Sequence, residues 1–85
     1  MNELETQVKN YLDYCRNQKR LDKKTLRAYR IDLNQFCSNF RADSILEITP
    51  DTLENYITGL HQKYKPKTVK RKIASLKALF HYFEY

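Results

Sequence analysis

Four segments of the chain repeat apolar residues at intervals of three and four, the spacing that lines side chains along one face of an α-helix. The first, roughly Asn2 to Asn17, carries Leu4, Val8, Tyr11, Leu12 and Cys15. The second opens at Asp22 and carries Leu26, Tyr29, Leu33, Phe36, Cys37 and Phe40. In the third the stripe is Leu53, Tyr56, Ile57 and Leu60, and in the fourth, from near Pro66 to about Phe83, it is Val69, Ile73, Leu76, Leu79, Phe80 and Phe83. This patterning predicts an all-α fold of four helices. One Gly, two Pro and an abundance of Leu, Lys, Arg, Glu and Gln agree with it. Eighty-five residues make one small domain, 1–85, which can bury only about 60% of its unfolded surface, so the core must be economical.

Helix punctuation supports the same division. Asp22 can cap the second helix, with Thr25 at its third position. Thr49 caps the third, Pro50 takes its first position and Asp51 favours the positive end of the helix dipole. Gln18 to Leu21 reads as a polar, basic connection. Arg41 to Ile48 reads as a loop, with Ile45 and Ile48 pinning it to the core. No repeat, low-complexity stretch or Gly/Ser linker interrupts the chain. It ends at Phe83-Glu84-Tyr85 without a stop signal, the expectation for a domain boundary in a longer polypeptide.

Most enzyme chemistries lack their residues. His61 and His81 are isolated from carboxylates and thiols at ligand spacing, so neither metal nor cofactor is expected. A single Gly excludes a glycine-rich phosphate loop. Tyr11, Tyr29 and Tyr56 lie on apolar stripes as core residues, and Tyr14, Tyr64, Tyr82 and Tyr85 have no activating neighbour in sequence. Cys15 and Cys37 sit at apolar positions and are expected as reduced thiols, which suits a cytoplasmic protein. No apolar run approaches the ~20 residues of a membrane span, and the N-terminus is unlike a signal peptide.

Charge carries the functional information. The net charge is +6, and fourteen of sixteen cations lie in residues 16–30 and 63–77. Between Glu54 and Glu84 there are seven cations and no acid. On the second helix Lys23, Arg27, Arg30 and Asn34 form a polar strip, with Lys24 further round. On the fourth, Lys67, Lys70, Arg71, Ala74, Lys77 and Ala78 lie opposite the apolar stripe, the two alanines permitting close approach. Thr25 and Thr68 each lie in the first turn of a helix beside cations, where free N–H groups and the dipole attract a phosphate. Cations on a rigid helix face point to the backbone of double-stranded DNA.

These residues have a family resemblance. Thr25-Leu26-Arg27-Ala28-Tyr29-Arg30-Ile31-Asp32-Leu33-Asn34-Gln35-Phe36 resembles the second-helix signature of the N-terminal core-binding domain of tyrosine recombinases, the phage integrase family. Ile48-Thr49-Pro50-Asp51 with Tyr56-Ile57 resembles the start of that domain's third helix, and Lys67 to Phe80 with Tyr82 resembles its fourth. The resemblance implies a four-helix, SAM-like orthogonal bundle forming half of a clamp around DNA. By position it makes Thr25, Arg27, Lys67, Thr68, Lys70, Arg71 and Lys72 contacts, Lys72 lying nearer the core edge, where it either reaches sideways to a phosphate or simply snorkels; Lys24, Arg30 and Lys77 are added from their place on the helices. It also implies as partners a C-terminal catalytic domain and neighbouring recombinase protomers, the latter through the first helix. Lys65 stands where the family often has a Ser cap. The Arg/Lys/His/Arg/His-or-Trp/Tyr constellation that breaks and rejoins strands in this family has no counterpart here, so the chain itself is expected not to be an enzyme. Two other readings fit a basic bundle: a protein-interaction module for an acidic partner, and a helix-turn-helix regulator.

Overall fold

The computed structural model describes residues 2–40 and 47–83. It contains α1 (Glu3–Asn17), α2 (Lys23–Asn39), α3 (Pro50–Lys63) and α4 (Pro66–Phe83), with no strand among the described residues. Each of the first three helices begins at a side chain that takes up an otherwise unpaired N–H. Asn2 accepts from the Glu5 amide at 2.9 Å, Asp22 from Thr25 at 2.7 Å and Thr49 from Thr52 at 3.2 Å. The Thr25 amide holds the Asp22 carboxyl below its usual range. Between α1 and α2 the chain turns at Arg20, which takes the left-handed region (φ 54°). The Leu21 amide then reaches back to the Cys15 carbonyl at 3.1 Å, and the Leu21 side chain lands on the core.

The core is built from three helices, with α3 laid against it. Leu4, Val8, Tyr11 and Cys15 of α1 meet Leu26, Leu33 and Phe36 of α2 and Leu76 and Leu79 of α4. From α3, Leu53 and Tyr56 pack on this cluster, and Ile57 is half-buried. Phe36 is the aromatic centre, with Phe40 at 4.6 Å, Tyr56 edge-on at 5.4 Å and Phe80 edge-on at 6.1 Å between centroids. Ile48 anchors the approach to α3 as expected; Ile45 lies outside the described residues.

On α4 the burial differs from the apolar stripe. Its buried residues are Val69, Lys72, Ser75, Leu76 and Leu79, while Ile73 is only half-buried. Ala78, expected on the open face, packs against the core. The helix is rotated so that Lys72 faces inward, for a reason found on α2 (below).

Two consequences can be measured. Tyr11 is 1% exposed and its hydroxyl has no hydrogen-bond partner among the described residues; Cys15, a turn further on, offers only a weak sulfur partner. Tyr11→Phe is therefore expected to raise stability by about 1 kcal/mol in denaturant titration, by removing an unsatisfied buried group. The half-buried Cys37 thiol is pushed up from 9.0 to about 11, first by burial and then by the Glu5 charge. Its folded value exceeds its unfolded one. Its contribution to stability is thus complete below pH 9 and falls away as pH rises toward 11. Thiol alkylation followed by mass spectrometry should find Cys37 slow at neutral pH and accelerating across that window.

Candidate nucleic-acid interface

Asp32 lies on α2 at the edge of its apolar stripe, and its side chain is 1% exposed. An isolated buried carboxylate is costly, and here α4 supplies two cations. Arg71 approaches side-on: Nε donates to Oδ2 at 3.0 Å and Nη2 to Oδ1 at 2.9 Å. The Lys72 Nζ donates to the same Oδ1 at 2.9 Å and to Gln35 Oε1 at 2.6 Å. The ammonium also sits 4.8 Å from the centre of the Tyr64 ring. The Gln35 amide closes the circuit by donating to the Tyr64 hydroxyl at 2.6 Å. The three N–H groups of Lys72 are thus directed at a carboxylate, an amide oxygen and an aromatic face. One carboxylate faces two cations, so the junction keeps a net charge of +1. The hydrogen bonds to Asp32 hold the Arg71 guanidinium above its usual range.

This network decides which expected contacts face outward. The Lys72 side chain is 6% exposed and enclosed, so its expected role as a DNA contact is corrected: its ammonium serves the interior. Arg71 is 47% exposed and remains at the surface despite its pairing. Lys24, Arg27, Lys67, Lys70 and Lys77 are exposed, and Thr25 and Thr68 are half-buried. Lys70 and Lys77 border a shallow apolar groove shared with His61 of α3. Arg30 is exposed on the α1 side of α2, in a groove with Glu5, Lys9 and Asn34, away from Arg71.

The two helix N-termini are not equivalent. At α2 the Asp22 carboxylate already occupies the positive end, so a phosphate arriving beside Thr25 meets an anion. At α4 the first turn holds no acid and the preceding residue is Lys65. The α4 end is therefore the better seat for an anion. It also lies closer to the Asp32 junction: three residues separate Thr68 from Arg71, whereas seven separate Thr25 from Asp32. At the helical rise these are ~4.5 Å and ~10 Å along the two axes.

The internal network was the part missed in the sequence. Its signal was a lone acid, Asp32, among the apolar residues Tyr29, Leu33 and Phe36, and a cation, Lys72, at the edge of the α4 stripe. A core-edge acid on one helix and a core-edge cation on another are a candidate pair. Among the described residues no group of His, Cys, Asp and Glu could hold a metal, and no helix is long and apolar enough to cross a membrane.

Removing one partner of the buried pair should be costly. Asp32→Ala is expected to lower stability by about 3–5 kcal/mol, because it strands the Lys72 charge. Adding Lys72→Met to that variant should recover most of the loss. Chemical denaturation of the wild type, both single variants and the double variant would give the coupling energy, and a coupling near zero would refute the pairing.

Comparison with known proteins places these features in context. Residues 8–84 match the family described as phage integrase, N-terminal SAM-like domain. A tyrosine recombinase of Agathobacter rectalis is 55% identical over 85 residues, 100% of this chain and 28% of its own length. A tyrosine recombinase XerD of Listeria innocua is 36% identical over 88 residues, covering 96% and 28% of the two chains. A tyrosine recombinase XerC of Roseiflexus castenholzii is 30% identical over 78 residues, covering 87% and 25%. The chain thus spans between 25% and 28% of the length of these relatives. No solved structure matches it.

Proposed function

The chain belongs to the phage integrase N-terminal SAM-like family, and from that premise we propose that it is the DNA-holding domain of a tyrosine recombinase, gripping a duplex with α2 and α4. The observation that carries this is the acid-free surface of α4, rigidly joined to α2 through Asp32. Cations held on a fixed helix meet phosphates without first being ordered, and binding releases the DNA's condensed counterions.

Lys67, Lys70, Arg71 and the N-terminal turn with Thr68 form the centre of the contact; Lys24 and Arg27 of α2 extend it. Lys77, Arg30 and Thr25 lie at its margins, and Lys72 acts from inside by fixing α4 against α2. In this role residues 1–85 act as one binding unit. The strand chemistry belongs to a separate C-terminal catalytic domain, and α1, away from the DNA, is the side offered to neighbouring protomers.

Roughly four to six phosphates neutralised would make log affinity for duplex DNA fall with log salt at a slope of about −4 to −5. Lys67→Ala with Lys70→Ala should weaken binding on every sequence and flatten the slope by about 2. Fluorescence anisotropy with labelled duplexes over a salt series tests both. A folded protein that binds no duplex at low salt would sink the proposal; an unchanged slope in the double variant would move the interface to another face.

A further inference from the structure

We propose that Arg71 reads a guanine and that Asp32 is its positioning residue. This rests on the DNA-holding reading above and sharpens it from a charged surface to one base contact.

The geometry of the guanidinium is the first argument. A side-on pair uses the Nε–H and one Nη2–H, the two donors given to Asp32. The end-on edge, with one N–H from each of Nη1 and Nη2, is left facing away from the carboxylate. Asp32 is buried while the Arg71 side chain is 47% exposed, so the donors not given to Asp32 are within reach of a ligand at the surface. Two parallel donors in a fixed plane match the O6 and N7 acceptors of guanine in the major groove.

The second argument is what a phosphate contact would require. A phosphate is held well by a mobile point charge, and several exposed lysines on this surface already provide that. Placing a carboxylate against Arg71 weakens its attraction for an anion while fixing its orientation. Such an arrangement suits a neutral base edge, where alignment matters more than charge. Lys72, drawn inward to the same oxygen, keeps Asp32 compensated, so Arg71 is not needed to neutralise it.

Access is the third. On α4, the positions three, four and seven residues beyond Arg71 are Ala74, Ser75 and Ala78. Ser75 is buried and Ala78 packs on the core, so the exposed neighbour is Ala74, whose small side chain leaves Arg71 uncrowded on that side. Ala74 also lines the groove that Lys70 and Lys77 share with His61 of α3.

The test separates base reading from phosphate contact. Preferred duplexes are first selected from a randomised library. Direct binding is then measured on duplexes in which each guanine in turn is replaced by 7-deazaguanine, which lacks the N7 acceptor, or each G·C pair by A·T. The wild type should discriminate about 5- to 150-fold at one G·C position. Arg71→Lys should abolish that discrimination while leaving the salt slope unchanged, since the charge remains. Asp32→Asn should reduce discrimination at the same position, again with an unchanged slope. Circular dichroism checks its fold, and the Asp32→Asn, Lys72→Met pair replaces it if it unfolds. Retained discrimination in Arg71→Lys, or a loss spread equally over all sequences, would overturn the proposal while leaving DNA binding standing. No duplex binding by the wild type would overturn the DNA-holding reading and this inference together.

Discussion

The arrangement of the helices turns on one buried carboxylate. Asp32 is nearly inaccessible to water; the enclosed Lys72 ammonium balances its charge, and Arg71 adds two further hydrogen bonds. Satisfying it fixes how α4 is rotated. Lys72 must point inward, Arg71 must lie across the junction, and the remaining cations are turned to the surface. Gln35 and Tyr64 add a second ring of hydrogen bonds around Lys72, tying the connection between α3 and α4 to α2. A hydrophobic contact of equal area would hold the helices together without dictating their rotation, because apolar burial has no direction.

That directional constraint lies where the chain is most positive. Like charges are held on neighbouring helices, and their repulsion acts against the compact state. Asp32 offsets part of it from inside. The two helix ends also divide their tasks: α2 is closed by its own Asp22, whereas α4 opens without an acid in its first turn. The core is supplied chiefly by α1, α2 and α4, so the surface helices rest on rigid packing around Phe36.

Much of this was legible in the residues. Four stripes of helical period marked four helices, and Asp22, Thr49 and Pro50 marked two starts, because local hydrogen bonds and backbone angles act over a few residues. The exposed cations were legible too, since charge outside the apolar stripe remains solvated. The inward turn of Lys72 was not. Its place at the core edge left open a sideways reach to a phosphate or a snorkelling stem, and the partner that decides between them is forty residues away. The packing of Ala78 on the core has the same origin: it follows from the rotation of α4 that brings Lys72 to Asp32.

Short-range periodicity and side-chain chemistry were enough to read the helices, the caps of α2 and α3, the apolar setting of both cysteines and the concentration of positive charge from the residues alone. Which cation is structural and which is free to meet a ligand emerged from the packing of the helices. That choice depends on where a buried carboxylate finds its counter-charges, and the cost of leaving it unpaired is settled by the three-dimensional contact between α2 and α4.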